Sequence, residues 1–116
     1  MTNSESELLD GMYKRFVKNS LDLIIMRKLE KRQSMAAYDF ITFLNREFGM
    51  LISSGTVYAN LYSMERNGLI EAKESENRRS YVLTDKGKQT IQALKNAEKM
   101  LVDLVKKIFF GQHVTF

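Results

Sequence analysis

The 116-residue chain has no cysteine, no proline, one histidine and no apolar run long enough to cross a bilayer. Without cysteine there are no disulfides and no thiolate metal sites. The lone histidine, His113, stands near the C-terminus. No His/Cys/Asp cluster has ligand spacing, so no metal and no cofactor are expected. There is no Ser-His-Asp set and no phosphate-cradling glycine loop, which argues against an enzyme. Without proline, glycine and asparagine must supply the turns. The opening residues MTNSESELLD are polar and acidic, unlike a secretory signal, so the expected compartment is the cytoplasm, with no membrane association.

What remains is a globular composition, 44% hydrophobic and 28% charged, at a length that suits one domain. The net charge of +4 and pI near 9.4 lean toward an anionic partner such as nucleic acid.

The most informative stretch is 53–70, SSGTVYANLYSMERNGLI. Ser53 is a good N-cap. Val57, Leu61 and Met64 share one helical face, opposite Gly55, Ala59, Tyr62 and Ser63. Gly68 is the expected left-handed stop. The outward face is small and hydroxylic with aromatic flanks, which suits close approach to another surface.

Upstream, Ser4 and Glu7 fit a capping box for a helix with Leu8, Leu9, Met12 and Phe16 on its apolar face. Asn19 and Ser20 open a second helix carrying Leu21, Ile24, Ile25, Met26 and Leu29. Gln33 to Met35 read as a break. A third helix over 36–48 places Ala37, Phe40, Ile41, Leu44 and Phe48 on one stripe, and Gly49 ends it. Two helices joined by a short glycine-containing turn have the form of a helix-turn-helix.

Downstream, 70–74 alternates, 75–79 is polar and turn-like, and Tyr81-Val82-Leu83 is rich in strand formers, which together predict a hairpin. Thr84 then caps one long helix reaching 109 or 110, with Ile91, Leu94, Ala97, Leu101, Leu104, Val105 and Ile108 on a broad stripe. Glu98 lies inside that stripe with no obvious partner, and the tail over 111–116 is expected to fray. So much apolar helix must pack on the N-terminal helix of its own chain or on a second copy. The reading taken is a homodimer joined through Leu8, Leu9, Met12 and Phe16 together with Leu94, Leu101, Leu104, Val105 and Ile108.

The motif SxGTVYxxLYxMExxGLI, followed by a hairpin ending in YVLTDKG, resembles the PadR family of transcriptional regulators. Ser53, Gly55, Thr56, Tyr58, Leu61, Glu65, Gly68, Leu69 and Ile70 match the recognition-helix motif, and Arg79, Tyr81, Leu83, Thr84 and Gly87 match the wing and the next helix start. VKNSLDLIIMRKL and MAAYDF are similar to the family's first two helices, so the resemblance spans 18–94. Ser54 stands where the family often has proline, and the wing is less basic than many.

The resemblance implies a mainly α fold with a small β-hairpin: a winged helix-turn-helix with a long C-terminal dimerisation helix. The divisions are 1–19 for an N-terminal helix in the dimer interface, 20–84 for the DNA-binding domain and 85–116 for the dimerisation helix and tail. It implies a homodimeric repressor reading a pseudo-palindromic double-stranded DNA operator, with the recognition helix in the major groove and half-sites about one turn apart. It also allows a small aromatic or drug-like effector near the dimer interface.

The residues point the same way. Amides at Ser53 and Ser54 can meet a phosphate, and Thr56, Tyr58 and Tyr62 carry hydroxyls for phosphate or base edges. The recognition helix has no Lys or Arg before Arg66, so charge neutralisation falls to Lys18, Arg78 and Arg79. Plainer readings stand beside these. Tyr58 fits a core-edge tyrosine bonded to its own backbone, and Tyr62 a side chain packed on the wing. Arg78 and Arg79 fit hairpin-tip residues paired with Glu76, and Lys18 a partner for a neighbour's acidic surface. The rival function is a winged helix that binds protein instead of DNA.

Overall fold

A computed structural model describes residues 2–113. Within them the order is α1 (Asn3–Asn19), α2 (Leu21–Arg32), β1 (Met35–Ala36), α3 (Ala37–Phe48), α4 (Ser54–Arg66), β2 (Ile70–Ser75), β3 (Arg78–Leu83), α5 (Asp85–Asn96) and α6 (Glu98–Phe110). Of the tail expected to fray, residues 114–116 lie outside the described residues.

The core forms where helical spacing puts large apolar groups on inward faces. Leu21, Ile25, Met26 and Leu29 of α2, Phe40 and Leu44 of α3, and Val57, Leu61 and Met64 of α4 are all buried together with Ile70, Tyr81 and Ile91. The helix-turn-helix corner is pinned by Asn45, whose Oδ1 accepts the Ile52 amide at 2.9 Å, while Gly49 closes α3 at φ 61°. The winged helix-turn-helix architecture read from the sequence is the one observed.

Several local expectations change. The N-terminal capping box is formed by Thr2 and Glu5, with Thr2 Oγ1 accepting from the Glu5 amide and Glu5 from the Thr2 amide, so α1 starts two residues earlier than Ser4 and Glu7 suggested. The break around Met35 is in part a strand: β1 pairs antiparallel with β3, making a three-stranded sheet in the order β1-β3-β2. The hairpin turn is tighter than the polar run 75–79 suggested. Ser75 already pairs with Arg78, and the two-residue loop Glu76-Asn77 has both φ values positive, as a type I′ turn requires. Left-handed backbone therefore falls on Gln33 and Glu76 as well as on glycine and asparagine.

The single C-terminal helix is two helices. Ala97, at φ −100° and ψ 14°, separates α5 from α6. Asn96 is a poor helix-interior residue, and Glu98 suits the first turn of a new helix, where the positive dipole end lies. Glu98 is exposed, at the rim of a shallow cavity lined by Ile91, Leu94 and Leu101. The buried carboxylate of this region is Asp103, which Lys99 meets at 3.2 Å.

Thr84 joins the end of α4 to the start of α5. Its hydroxyl donates to the Gly68 carbonyl at 2.6 Å and accepts the Gly87 amide at 3.0 Å, and its own amide donates to Leu69 O. Gly87 packs so closely that a Cβ there would sit 2.3 Å from Leu69 O and 2.9 Å from Leu83 Cδ2. Gly87→Ala should therefore destabilise the protein by about 1–3 kcal/mol or more, measured by urea titration.

The molecule is drawn out. Its radius of gyration is 16.4 Å, with extents of 51 × 35 × 22 Å; a compact chain of this length has about 13 Å. Tyr13 of α1 donates its hydroxyl to Phe48 O at the end of α3, and Phe16 meets Phe109 of α6 edge-on at 5.8 Å. Leu8, Leu9 and Phe16 on α1 and Leu104, Val105 and Ile108 on α6 remain exposed, while Met12, Leu94 and Leu101 are half-buried.

Candidate nucleic-acid interface

The candidate surface begins at the N-terminus of α4. Ser53 Oγ accepts the Thr56 amide at 3.1 Å and lies 2.8 Å from Thr56 Oγ1, so the cap engages both side chains locally. Ser54 is exposed beside it. At the other end, Gly68 takes φ 74°, with the Leu69 amide donating to Met64 O and the Gly68 amide to Glu65 O, a Schellman closure. Between these ends helical phase does the sorting. Val57, Leu61 and Met64 are at most 2% exposed, whereas Tyr58 and Tyr62 are 41% and 51% exposed. The two rings stand 6.3 Å apart, and neither phenol has a hydrogen-bond partner among the described residues.

The hairpin stands against this helix. A groove of about 300 Å³ runs between them, lined by Tyr38 at the start of α3, Tyr58 of α4, and Arg78, Arg79 and Tyr81 of β3. Tyr58, Arg78 and Arg79 are thus brought together. Lys18 is exposed in the last turn of α1, and no hydrogen bond or ion pair links it to α4 or the hairpin among the described residues.

Both wing arginines are paired, though not with Glu76. Arg78 Nη2 donates to Asp39 Oδ2 at 2.9 Å, and the same carboxylate oxygen accepts the Ala36 amide at the start of α3. Arg79 donates from Nη1 to Glu74, its cross-strand neighbour, at 2.9 Å and from Nη2 to Glu65 of α4 at 3.3 Å. Its Nε faces the Tyr81 hydroxyl at 3.3 Å, and the guanidinium lies 5.7 Å from the Tyr81 ring centroid. The Tyr81 hydroxyl and Glu74 together raise the Arg79 pKa above its ordinary value.

Sequence reasoning missed Tyr38, Asp39 and Glu65 as parts of this surface. Tyr38 had a signal: it falls off the Ala37, Phe40, Ile41, Leu44 stripe and is 74% exposed. Glu65 matches the recognition-helix motif and Asp39 lies in the MAAYDF stretch, but nothing in the sequence links either to a wing arginine, because those partners lie 14 and 39 residues away.

Residues 25–93 match the profile of the Transcriptional regulator PadR-like family. No curated protein matches the sequence. Among solved structures, a PadR family transcriptional regulator from Eggerthella lenta shares 20% identity at a TM-score of 0.71, with 92% of this chain and 96% of that one covered. A PadR-like transcriptional regulator from Bacillus cereus shares 24% identity at 0.68, covering 84% and 99%. A PadR family transcription regulator from Clostridium difficile shares 25% identity at 0.65, covering 77% and 97%. The profile spans more than half of the sequence and includes the helix-turn-helix, the wing and most of α5; the chain belongs to the PadR-like family of transcriptional regulators.

Proposed function

We propose that the protein is a cytoplasmic, sequence-specific double-stranded DNA-binding repressor that acts as a homodimer. In this reading α4 enters the major groove, the hairpin lies along the backbone, and two copies read pseudo-palindromic half-sites about one turn apart. The observation that carries it is the outward face of α4: a capped N-terminus and two unpartnered phenols beside a wing that carries two arginines. Ser53 and Ser54 offer amides, Tyr58 and Tyr62 offer hydroxyls, and Arg78 and Arg79 offer charge. Thr56 contributes by holding the cap. Lys18 would meet DNA outside the α4–wing groove.

The dimer is proposed to bury the exposed faces of α1 and α6. Leu8, Leu9, Met12 and Phe16 of one arm, with Leu94, Leu101, Leu104, Val105 and Ile108 of the other, would form its apolar surface. An effector bound near that surface belongs to the same proposal. In this reading residues 1–19 belong to the dimer interface, 20–84 bind DNA, and α5 and α6 supply the C-terminal dimerisation arm.

Tyr58→Phe and Tyr62→Phe test the recognition face, since each removes one hydroxyl with no partner among the described residues. Each should weaken binding to a retained promoter fragment by about 0.5–1.5 kcal/mol, at an unchanged melting temperature. Parent-like binding by both, in a gel shift, would move the protein-binding alternative to first place. That alternative has one structural point in its favour: Leu51, in the turn before α4, is 90% exposed.

A further inference from the structure

The α4–wing surface holds its cations in an unusual state for a face that must meet phosphate. Arg78 is paired with Asp39 at 2.9 Å, and Arg79 with Glu74 at 2.9 Å and Glu65 at 3.3 Å. The recognition helix adds no cation before Arg66. In the free protein, then, three carboxylates are paired with the two wing guanidinium groups. Carboxylate and phosphate present the same kind of oxygen pair to a guanidinium, so the two compete for one site.

We propose that Asp39 and Glu65 restrain sequence-independent DNA binding by holding the wing arginines until a duplex phosphate displaces them. This rests on the DNA-interface reading above. The geometry makes exchange feasible. The side chains of Arg78 and Arg79 are 63% and 45% exposed, so a phosphate can reach them from solvent. Exposed ion pairs of this kind contribute little to stability, and breaking one costs little. Asp39 and Glu65 are less exposed, at 30% and 28%, and each belongs to a helix of the helix-turn-helix. They are therefore the fixed members of each pair, and the arginines are the ones that swing. Once released, each carboxylate lies near the phosphate backbone, where it repels the duplex and takes up a cation from solution. That uptake cancels part of the counterion release that drives non-specific binding.

The test uses the full chain and a short random-sequence duplex, with affinity followed by fluorescence anisotropy across a salt series. Asp39→Asn keeps an oxygen for the Ala36 amide, and Glu65→Gln leaves the α3 start untouched. Each should bind the duplex about two- to fivefold tighter than the parent. The log–log salt slope should steepen by up to about 0.9 per pair. Adding Arg78→Ala to Asp39→Asn should abolish the gain. If Asp39→Asn lowers the melting temperature, Glu65→Gln alone decides. A parent-like melting temperature with binding no tighter than the parent would overturn the proposal and leave the carboxylates as positioning groups for the wing. Arg78→Ala and Arg79→Ala in the parent background separate the two levels. If both bind like the parent, the wing does not meet DNA and the interface reading fails. If they bind more weakly but the carboxylate variants gain nothing, only the restraint fails.

Discussion

Val105→Glu with Ile108→Glu should yield monomers, and affinity for a two-half-site fragment should fall by about 100- to 10,000-fold. The magnitude follows from linkage: in a dimer the second α4 engages at high effective concentration, and a monomer loses that advantage entirely. These two positions are suitable because Val105 and Ile108 are exposed on α6, at 38% and 65%, so the folded monomer loses less packing at them than at a buried position. Leu101 is a poorer choice, since it is half-buried and lines a shallow cavity with Arg27 and Ile91 of its own chain. Light scattering at micromolar concentration gives the mass, and a melt confirms that the fold survives. A variant that stays dimeric with parent-like affinity would place the interface elsewhere.

Leu61→Ala should have the opposite profile. Leu61 is fully buried on the inner face of α4, in the same cluster as Leu29, Phe40 and Tyr81. Removing it leaves a cavity in the core, at an expected cost of about 2–5 kcal/mol. Small domains have roughly 5–15 kcal/mol in total, so a substantial part of the stability would go. Any loss of DNA binding should then track unfolding and recover at low temperature or in a stabilising osmolyte. Tyr58, three residues earlier, is expected to lose binding at full stability. Helical phase alone separates the two outcomes, which makes the pair diagnostic. A stable Leu61→Ala with defective binding would mean that this side of α4 has a part in recognition that its burial hides.

Much of the fold was legible because the signals were local and repeated. The period of Val57, Leu61 and Met64 gave the buried face of α4, Ser53 gave its start and Gly68 its end, and all are found in place. What escaped was short or long-range. Two residues, Met35 and Ala36, are too few to show alternation, so β1 read as a break. The stripe from Ile91 to Ile108 kept helical spacing across Ala97, so periodicity gave no sign of the interruption. Glu76 occupies a left-handed position that a propensity argument assigns to glycine or asparagine. In the candidate interface the hydroxyl-bearing face was readable from phase. The carboxylates around Arg78 and Arg79 were not, because the strand pairing and the packing of α3 and α4 bring them in.

Were the C-terminal arm to turn as a rigid body about the break at Ala97, it would act as a lever. With thirteen residues in α6, the arm is about 20 Å long, so a rotation of roughly 10° at its base carries its tip about 3 Å, close to the rise of one base pair. If two such arms clasp each other, the angle at this single residue determines how far apart the two α4 helices stand. Operator pitch would then be tuned at Ala97, far from any residue that touches a base, and a wedge placed there would alter which spacings the protein accepts without altering which letters it reads.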